Sequence, residues 1–299
     1  MKMLLLGKNG QLGRALQRRL QPLGQLIACG RAEADLERVD ALTDLVEMVR
    51  PDVIVNAAAY TAVDKAESEP ERARLVNSQA VAALARCMGN GWLIHFSTDF
   101  IFDGLKQAPY VETDEAKPLS VYGATKLEGE QAVTSSGCKH LIFRVSWVYA
   151  PGHNNFPAAI LRLGKERANI DVVSDQVGAP TSAGLIAEIT ANALAKIAGS
   201  GAAASSLSGI YHLAASGEVG RADLAKFIVA DARQQGVPLT LSPEGIRPIA
   251  TADYRTPAAR PLNSRLSTTK LEHGLGVSLP PWQSDMRKFV ADVIKGNFI

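Results

Sequence analysis

The 299-residue sequence predicts an α/β protein built on a doubly wound parallel sheet. Three observations carry that expectation. Short apolar runs alternate with helical patterns through the first half of the chain, as successive βαβ units require. The runs lack polar alternation, so each strand is expected to be buried on both faces, as in a parallel sheet covered by helices on either side. A glycine-rich turn stands between the first strand and the first helix, where such sheets open onto a ligand.

Each element has its own justification. Met3–Leu6 is a purely apolar strand, and Leu12, Leu16 and Leu20 fall on one face of a helix over Leu12–Leu20. Gln25–Cys29 reads as the second strand. A helix over Ala41–Val49 stops before Pro51, where the pattern turns to a strand over Asp52–Asn56. Glu71–Met88 reads as one long Ala-rich helix, followed by a strand over Trp92–Ser97. Val121–Val133 is helical and Leu141–Trp147 is a strand. Beyond Tyr149 the pattern becomes irregular, with a loop at Pro151, Gly152, Asn154 and Asn155 and prolines at 180, 238, 248, 257 and 261. Residues 1–150 are therefore expected to form the nucleotide-binding domain, with later segments returning to it. Residues 151–299 are expected to form mainly a smaller C-terminal α/β substrate-binding lobe across a cleft. Gly199 to Gly209, GSGAAASSLSG, reads as a mobile small-residue loop.

Composition narrows the function classes. A net charge of +2 without a clustered basic run gives no field for nucleic acid or an anionic membrane. No apolar stretch reaches the roughly 18 residues of a membrane helix, and Met3–Leu6 is too short for a signal peptide. Cys29, Cys87 and Cys138 fit neither a disulfide framework nor a zinc site. A cytoplasmic protein is expected.

Gly7, Gly10 and Gly13 in GKNGQLG follow a strand and open a helix. There a pyrophosphate can sit on free amides at the positive end of the helix. Three spaced turn glycines are the plainer alternative. The next strand ends at Cys29, Gly30 and Arg31, with Glu33 and Asp35 beyond it. An arginine at that tip suits a 2′-phosphate and favours NADPH over NADH; a solvated loop arginine is the other reading. Further on, Tyr122 and Lys126 in VYGATK are four residues apart on one helix face. An ammonium beside a phenol is expected to lower its pKa and make Tyr122 a usable general acid. Ser97, Thr98 and Asp99 lie where a strand runs out, in position to hold a carbonyl oxygen or simply to form a turn.

In series, GKNGQLG, VNAAAYTAVDKAES, STDFIFDG, VYGATK, FRVSWVYA and DQVGAPT resemble the extended short-chain dehydrogenase/reductase superfamily. More narrowly, they resemble its branch that reduces the C4 ketone of dTDP-4-dehydro-L-rhamnose, and the match reaches RPLNSRL at Arg260–Leu266. The resemblance implies a Rossmann-type fold and NADPH as hydride donor, with NADH a second candidate. It implies that Gly7, Gly10, Gln11, Leu12 and Gly13 hold the pyrophosphate, and that Asp35 and Leu36 lie by the adenine. Ala57, Ala59, Tyr60 and Thr61 would line the cofactor path, with Phe96 near the nicotinamide. Thr98, Tyr122 and Lys126 would be catalytic, Lys126 also holding the ribose, and Asp99 and Trp147 would contact the sugar. Asn77 would support this network. Asn154, Asn155, DQVGAPT, Arg260 and Arg265 are candidates for the nucleotide diphosphate, each with a structural role as the alternative.

Two departures qualify the resemblance. Gly30 replaces an acid found in some members, which counts against strict NADH use. Some members bind magnesium through glutamates at a dimer contact. Here the corresponding stretches read Arg14-Ala15 and Ser182-Ala183-Gly184, with no acid until Glu188, so no metal site is expected and a homodimer stays open. The rival readings are a nucleotide-sugar epimerase or dehydratase, and a non-catalytic NADP-binding regulatory subunit.

Overall fold

The computed structural model describes residues 1–296, so the last three residues of the predicted second lobe lie outside it. Five strands of the main sheet come from the first half: β1 (Lys2–Leu6), β2 (Gln25–Cys29), β3 (Val53–Asn56), β4 (Trp92–Thr98) and β5 (Lys139–Val145). Short pieces follow as β6 (Val148–Tyr149), β7 (Ile170–Val173), β8 (Val177–Gly178) and β9 (Thr181–Ser182). Then β10 (Gly209–Leu213) returns to the main sheet and pairs in parallel with β5. The six strands run in the order β2-β1-β3-β4-β5-β10, all parallel. The order reverses between β2 and β3, so the carboxyl ends of β1 and β3 lie side by side at a switch point, where open α/β sheets take their ligands. The sheet stops at β2, because residues 30–38 turn directly into the next helix instead of adding a further strand.

Helices cover both faces. They are α1 (Gln11–Leu20), α2 (Val39–Val49), α3 (Val63–Ala66), α4 (Pro70–Arg74), α5 (Ala80–Cys87), α6 (Val121–Ser135), α7 (Phe156–Glu166), α8 (Ala183–Gly199), α9 (Arg221–Gln234), α10 (Thr269–Leu275) and α11 (Trp282–Lys295). On one face Met3, Leu5, Val53, Val55, Trp92 and Ile94 join a core that includes Leu16 and Leu20 of α1 and Ile186 and Ile189 of α8. On the other, Leu4, Leu6, Ile54, Leu93 and Ile142 meet Leu42 and Val46 of α2, Val81 and Leu84 of α5, and Val133 of α6. Burying each such side chain contributes about 1.5–3 kcal/mol, which explains why the strands tolerate so few polar residues. Across the cleft lie small two-stranded sheets, completed by β11 (Val219–Gly220) and β12 (Ile246–Ile249): β7 with β12, β8 with β11, and β6 with β9.

Two local expectations change. The long helix over Glu71–Met88 is interrupted by a π-helical turn, Leu75–Gln79, between α4 and α5. That turn carries Asn77 inward: its Oδ1 accepts from Tyr60 N, and its Nδ2 donates to Tyr60 O and to Thr125 Oγ1. The segment Gly199 to Gly209 is not a loose loop. Its residues Gly201–Leu207 coil into 3-10 turns, with Ala204 and Leu207 buried in the core.

Candidate active site

A cleft of about 900 Å³ runs along the carboxyl ends of the strands. Gly7 shapes its floor with φ +83°, and a Cβ there would lie 2.8 Å from the Ala57 carbonyl carbon. The first-turn amides of α1, at Gln11, Leu12 and Gly13, have no carbonyl one turn back to bond, and that turn contains no acid. Gly7, Gly10, Gln11 and Leu12 line the cleft. Gly13 itself does not line the cleft. A Cβ at Gly13 would lie 2.0 Å from the Gly7 carbonyl oxygen, so this glycine lets helix and loop pack. The cradle fits a dinucleotide pyrophosphate.

Further along the cleft are Arg31, Asp35, Leu36, Ala57, Ala59, Tyr60 and Thr61, all expected from the sequence. Arg31 is not idle there. Its guanidinium is held by Asp35 and Glu37. Arg72, which the sequence did not single out, also lines the cleft and bonds to Glu37 at 2.9 Å and Glu69 at 3.1 Å. The Tyr60 hydroxyl donates to Glu69 at 2.9 Å. Hydrogen bonds from Lys65, Tyr60 and Arg72 hold the Glu69 carboxyl down to about 2.

Thr98, Asp99, Tyr122, Lys126, Phe96 and Trp147 gather at the other end. Thr98 closes β4; its Oγ1 donates to Asp99 Oδ1 and accepts from Phe100 N. Asp99 is only 3% exposed, and its Oδ2 has no partner among the described residues. Burial raises its pKa, while the nearby Ser264 and Thr98 hydroxyls and the charge of Arg221 oppose the rise. Tyr122 sits in the first turn of α6, capped by Ser120, whose Oγ accepts from Gly123 N. Its ring meets Phe100 edge-on at 5.7 Å.

The expected lowering of the tyrosine pKa by Lys126 is reversed. Burial pushes Tyr122 up to about 12, Asp99 adds to the rise, and hydrogen bonding with Thr98 opposes it. Lys126 does not contribute, and its Nζ is turned elsewhere. Lys126 Nζ donates to the Phe96 carbonyl at 2.6 Å and lies 3.2 Å from His95 Nε2. Burial lowers Lys126 to about 8, against the charge of Glu130.

Trp147 follows β5 with φ +46°, a left-handed conformation that costs a bulky residue about 1–3 kcal/mol. Gly178 makes room for it, since a Cβ there would lie 2.8 Å from Trp147 Cε2. The Arg221 guanidinium stacks on Trp147, 3.7 Å from the ring centroid, with Phe156 at 5.0 Å. Arg221 lines the cleft and has no ion-pair partner among the described residues. Burial lowers its pKa to about 10, opposed by Asp99. Sequence reading missed this residue because the first position of α9 belongs to no motif. The arginines it did select are engaged: Arg260 with Asp64, and Arg265 with Glu218, Asn263 and the Gln107 carbonyl. Asn154 lines the cleft, whereas Asn155 caps α7 and donates to Gln11 Oε1. Within DQVGAPT, Asp175 accepts from Thr251 and Gly178 seats Trp147.

Near Arg14-Ala15 and Ser182-Ala183-Gly184 the neighbouring acids are engaged by other side chains. Glu188 is paired with Arg19 at 2.9 Å, and Asp285 accepts from Ser182. Among the described residues no three His, Cys, Asp or Glu side chains converge as metal ligands. No helix among them is long and apolar enough to cross a membrane.

Comparison with known proteins gives the family. The family model described as the RmlD substrate binding domain matches residues 1–295. A dTDP-4-dehydrorhamnose reductase of Escherichia coli K12 is 45% identical over 303 residues, covering 98% of each chain. One from Burkholderia thailandensis is also 45% identical, over 98% of this chain and 99% of its own. Among solved structures, a dTDP-4-dehydrorhamnose reductase of Clostridium acetobutylicum superposes with a TM-score of 0.88 at 32% identity, covering 99% of this chain and 100% of the other. The Bacillus anthracis enzyme, solved in complex with NADP, gives 0.87 at 31% identity, covering 98% and 100%.

Proposed function

The chain belongs to the RmlD substrate binding domain family, and from that premise we propose that it works as a dTDP-4-dehydrorhamnose reductase. It is an NADPH-dependent oxidoreductase that reduces the C4 ketone of dTDP-4-dehydro-L-rhamnose to dTDP-L-rhamnose, the last step in making that sugar donor for cell-surface polysaccharide such as lipopolysaccharide O-antigen. The observation that carries the reading is one cleft joining the α1 cradle to Thr98, Asp99, Tyr122, Lys126 and Trp147. We place the protein in the cytoplasm, as a monomer or homodimer acting on a small nucleotide sugar.

The α1 amides and glycines would hold the pyrophosphate, with Arg31, Arg72 and the Asp35–Leu36 stretch around the adenosine. When bound, NADPH supplies a hydride to the sugar's C4. This chain's residues do the rest. Tyr122 delivers its phenolic proton to the C4 oxygen as negative charge develops there. A phenol raised to about 12 stays protonated until the stronger alkoxide base appears, which suits an acid used only in the transition state. Thr98 hydrogen-bonds the same oxygen and fixes the ketone. Asp99, with Oδ2 free, accepts from a sugar hydroxyl, and Trp147 packs against the ring. Arg221 brings positive charge to the side where the diphosphate must lie. We assign residues 1–150, with α8 and β10, to cofactor binding, and most of the remainder to the substrate.

The test is NADPH oxidation with dTDP-4-dehydro-L-rhamnose, repeated with NADH and with Tyr122→Phe. Turnover with NADPH is expected, falling about 10²–10⁴-fold in the variant while NADPH still binds. No oxidation with either cofactor overturns the reading, and a fully active Tyr122→Phe overturns the acid assignment. The epimerase or dehydratase alternative predicts tightly held NAD⁺ in the purified protein.

A further inference from the structure

Behind the active site, Lys126 is the outer member of a buried polar chain that passes through His95 to Asn56. His95 projects from β4 toward α6, is 0% exposed, and lies between Lys126 Nζ at 3.2 Å and Asn56 Nδ2 at 3.3 Å. The direction of each bond follows from the end that is fixed. Ala58 N donates to Asn56 Oδ1, so the amide must turn its Nδ2, a donor, toward His95. His95 Nδ1 therefore accepts, and the single proton of the neutral imidazole stands on Nε2. That proton faces Lys126. An ammonium has no lone pair to receive it, whereas a neutral amine does, and the amine can still donate to the Phe96 carbonyl at 2.6 Å.

We propose that His95 is a positioning residue that reads the charge of Lys126, holding the neutral amine by donating Nε2–H to Nζ and releasing the ammonium toward Tyr122. The proposal rests on the reading of Lys126 as the partner of Tyr122. Protonation of Lys126 and its detachment from His95 are then one event. Below the lysine pKa the charged side chain is free to stand beside the phenol; above it, the amine is parked on His95 and the Phe96 carbonyl.

The neighbouring charges allow this. The ionisable groups that bear on Lys126 are Glu130 on its own helix and His95 on β4; Glu130 is itself engaged by Arg144 of β5, at 2.7 Å. His95 is held neutral, its pKa pushed well below the usual value by burial and then by the charge of Lys126. Burial brings Lys126 down to about 8, so both of its forms are accessible near neutrality.

Two measurements test the proposal. In ¹⁵N-histidine-labelled protein without cofactor, His95 should show the Nε2–H tautomer across the pH range where the protein is folded. An Nδ1–H tautomer overturns it, whether or not the protein proves to be a reductase. In kinetics, His95→Gln replaces the Nε2–H donor by an amide that can turn its oxygen toward Lys126. The alkaline limb of kcat/KM should move up by roughly one pH unit, the size expected for exchanging one such hydrogen bond. A lowered rate with the limb unmoved shows a merely structural histidine and overturns the proposal. Should His95→Gln not fold, the tautomer still decides. Absence of turnover in the unaltered protein overturns the reductase reading instead.

Discussion

Arg221 is a cleft residue that only the structure brought to light. A guanidinium placed over an indole ring is worth up to about 2 kcal/mol when shielded from water. Here it also stiffens a tryptophan already held at φ +46°. Replacing it by methionine keeps bulk in the cleft but removes the charge. KM for the nucleotide sugar should rise about tenfold, with kcat and the KM for NADPH changed less than threefold. Steady-state kinetics with each substrate varied in turn makes the distinction, and an unchanged sugar KM removes Arg221 from the binding site. Tyr122, Thr98 and Asp99, which line the cleft, could be picked out from the sequence because the proposed reaction asks for particular groups beside particular strand ends. Arg221 could not. A cation that meets its partner across a turn, 74 positions from Trp147 in the chain, leaves no spacing to recognise.

At the scale of elements, the helix carrying Tyr122 and Lys126 depends on two close approaches. A Cβ on Gly123 would come within 2.2 Å of the Phe100 carbonyl oxygen, and one on Gly129 within 2.2 Å of the Asn77 carbonyl oxygen. The latter is backbone of the π-helical turn and cannot swing aside. Gly129→Ala should therefore push α6 away from that turn, destabilising the protein by about 1–3 kcal/mol and lowering Tm by roughly 3–10 °C. Calorimetry checks this, and an unchanged Tm would mean that the turn yields freely. The same region shows where sequence reading stops. Short, largely apolar runs such as VIVN and WLIHFS locate β3 and β4, because at that length with β-branched and aromatic residues a buried strand fits best. An Ala-rich stretch from Glu71 to Met88 has helical periodicity throughout. Its wide turn arises from what Asn77 must reach on the neighbouring loop, so tertiary contacts determine it. GSGAAASSLSG misled in the opposite way, since small residues can pack a core as readily as they can fill a loop.

For the whole molecule, buried histidines link folding to pH. His212 donates Nδ1–H to the Tyr110 carbonyl and faces Arg144 Nη1 at 3.4 Å; burial and the Arg144 charge take its pKa down to about 3. His95 is lowered as well. The folded state thus keeps both neutral where the unfolded chain, titrating near 6.5, takes up protons. Their contribution is complete above pH 6.5 and is lost as pH falls toward the folded values. Denaturant titrations should show stability declining below about pH 6.5 by up to about 2.7 kcal/mol per pH unit from these two groups. His212→Asn, whose amide can still donate to Tyr110, should remove about half of that slope; an unaltered slope would assign the acid sensitivity to other groups.

The placement of β10 bears on how the molecule is made. Until Gly209–Leu213 has left the ribosome, β5 presents an open edge, and α1 lacks the covering of α8 until residue 199 has emerged. At ordinary rates of synthesis, about 5–20 residues per second, the interval between completing β5 and supplying β10 lasts several seconds. The nascent chain must pass that interval with an unpaired apolar strand, so chaperone demand should peak in the middle of translation.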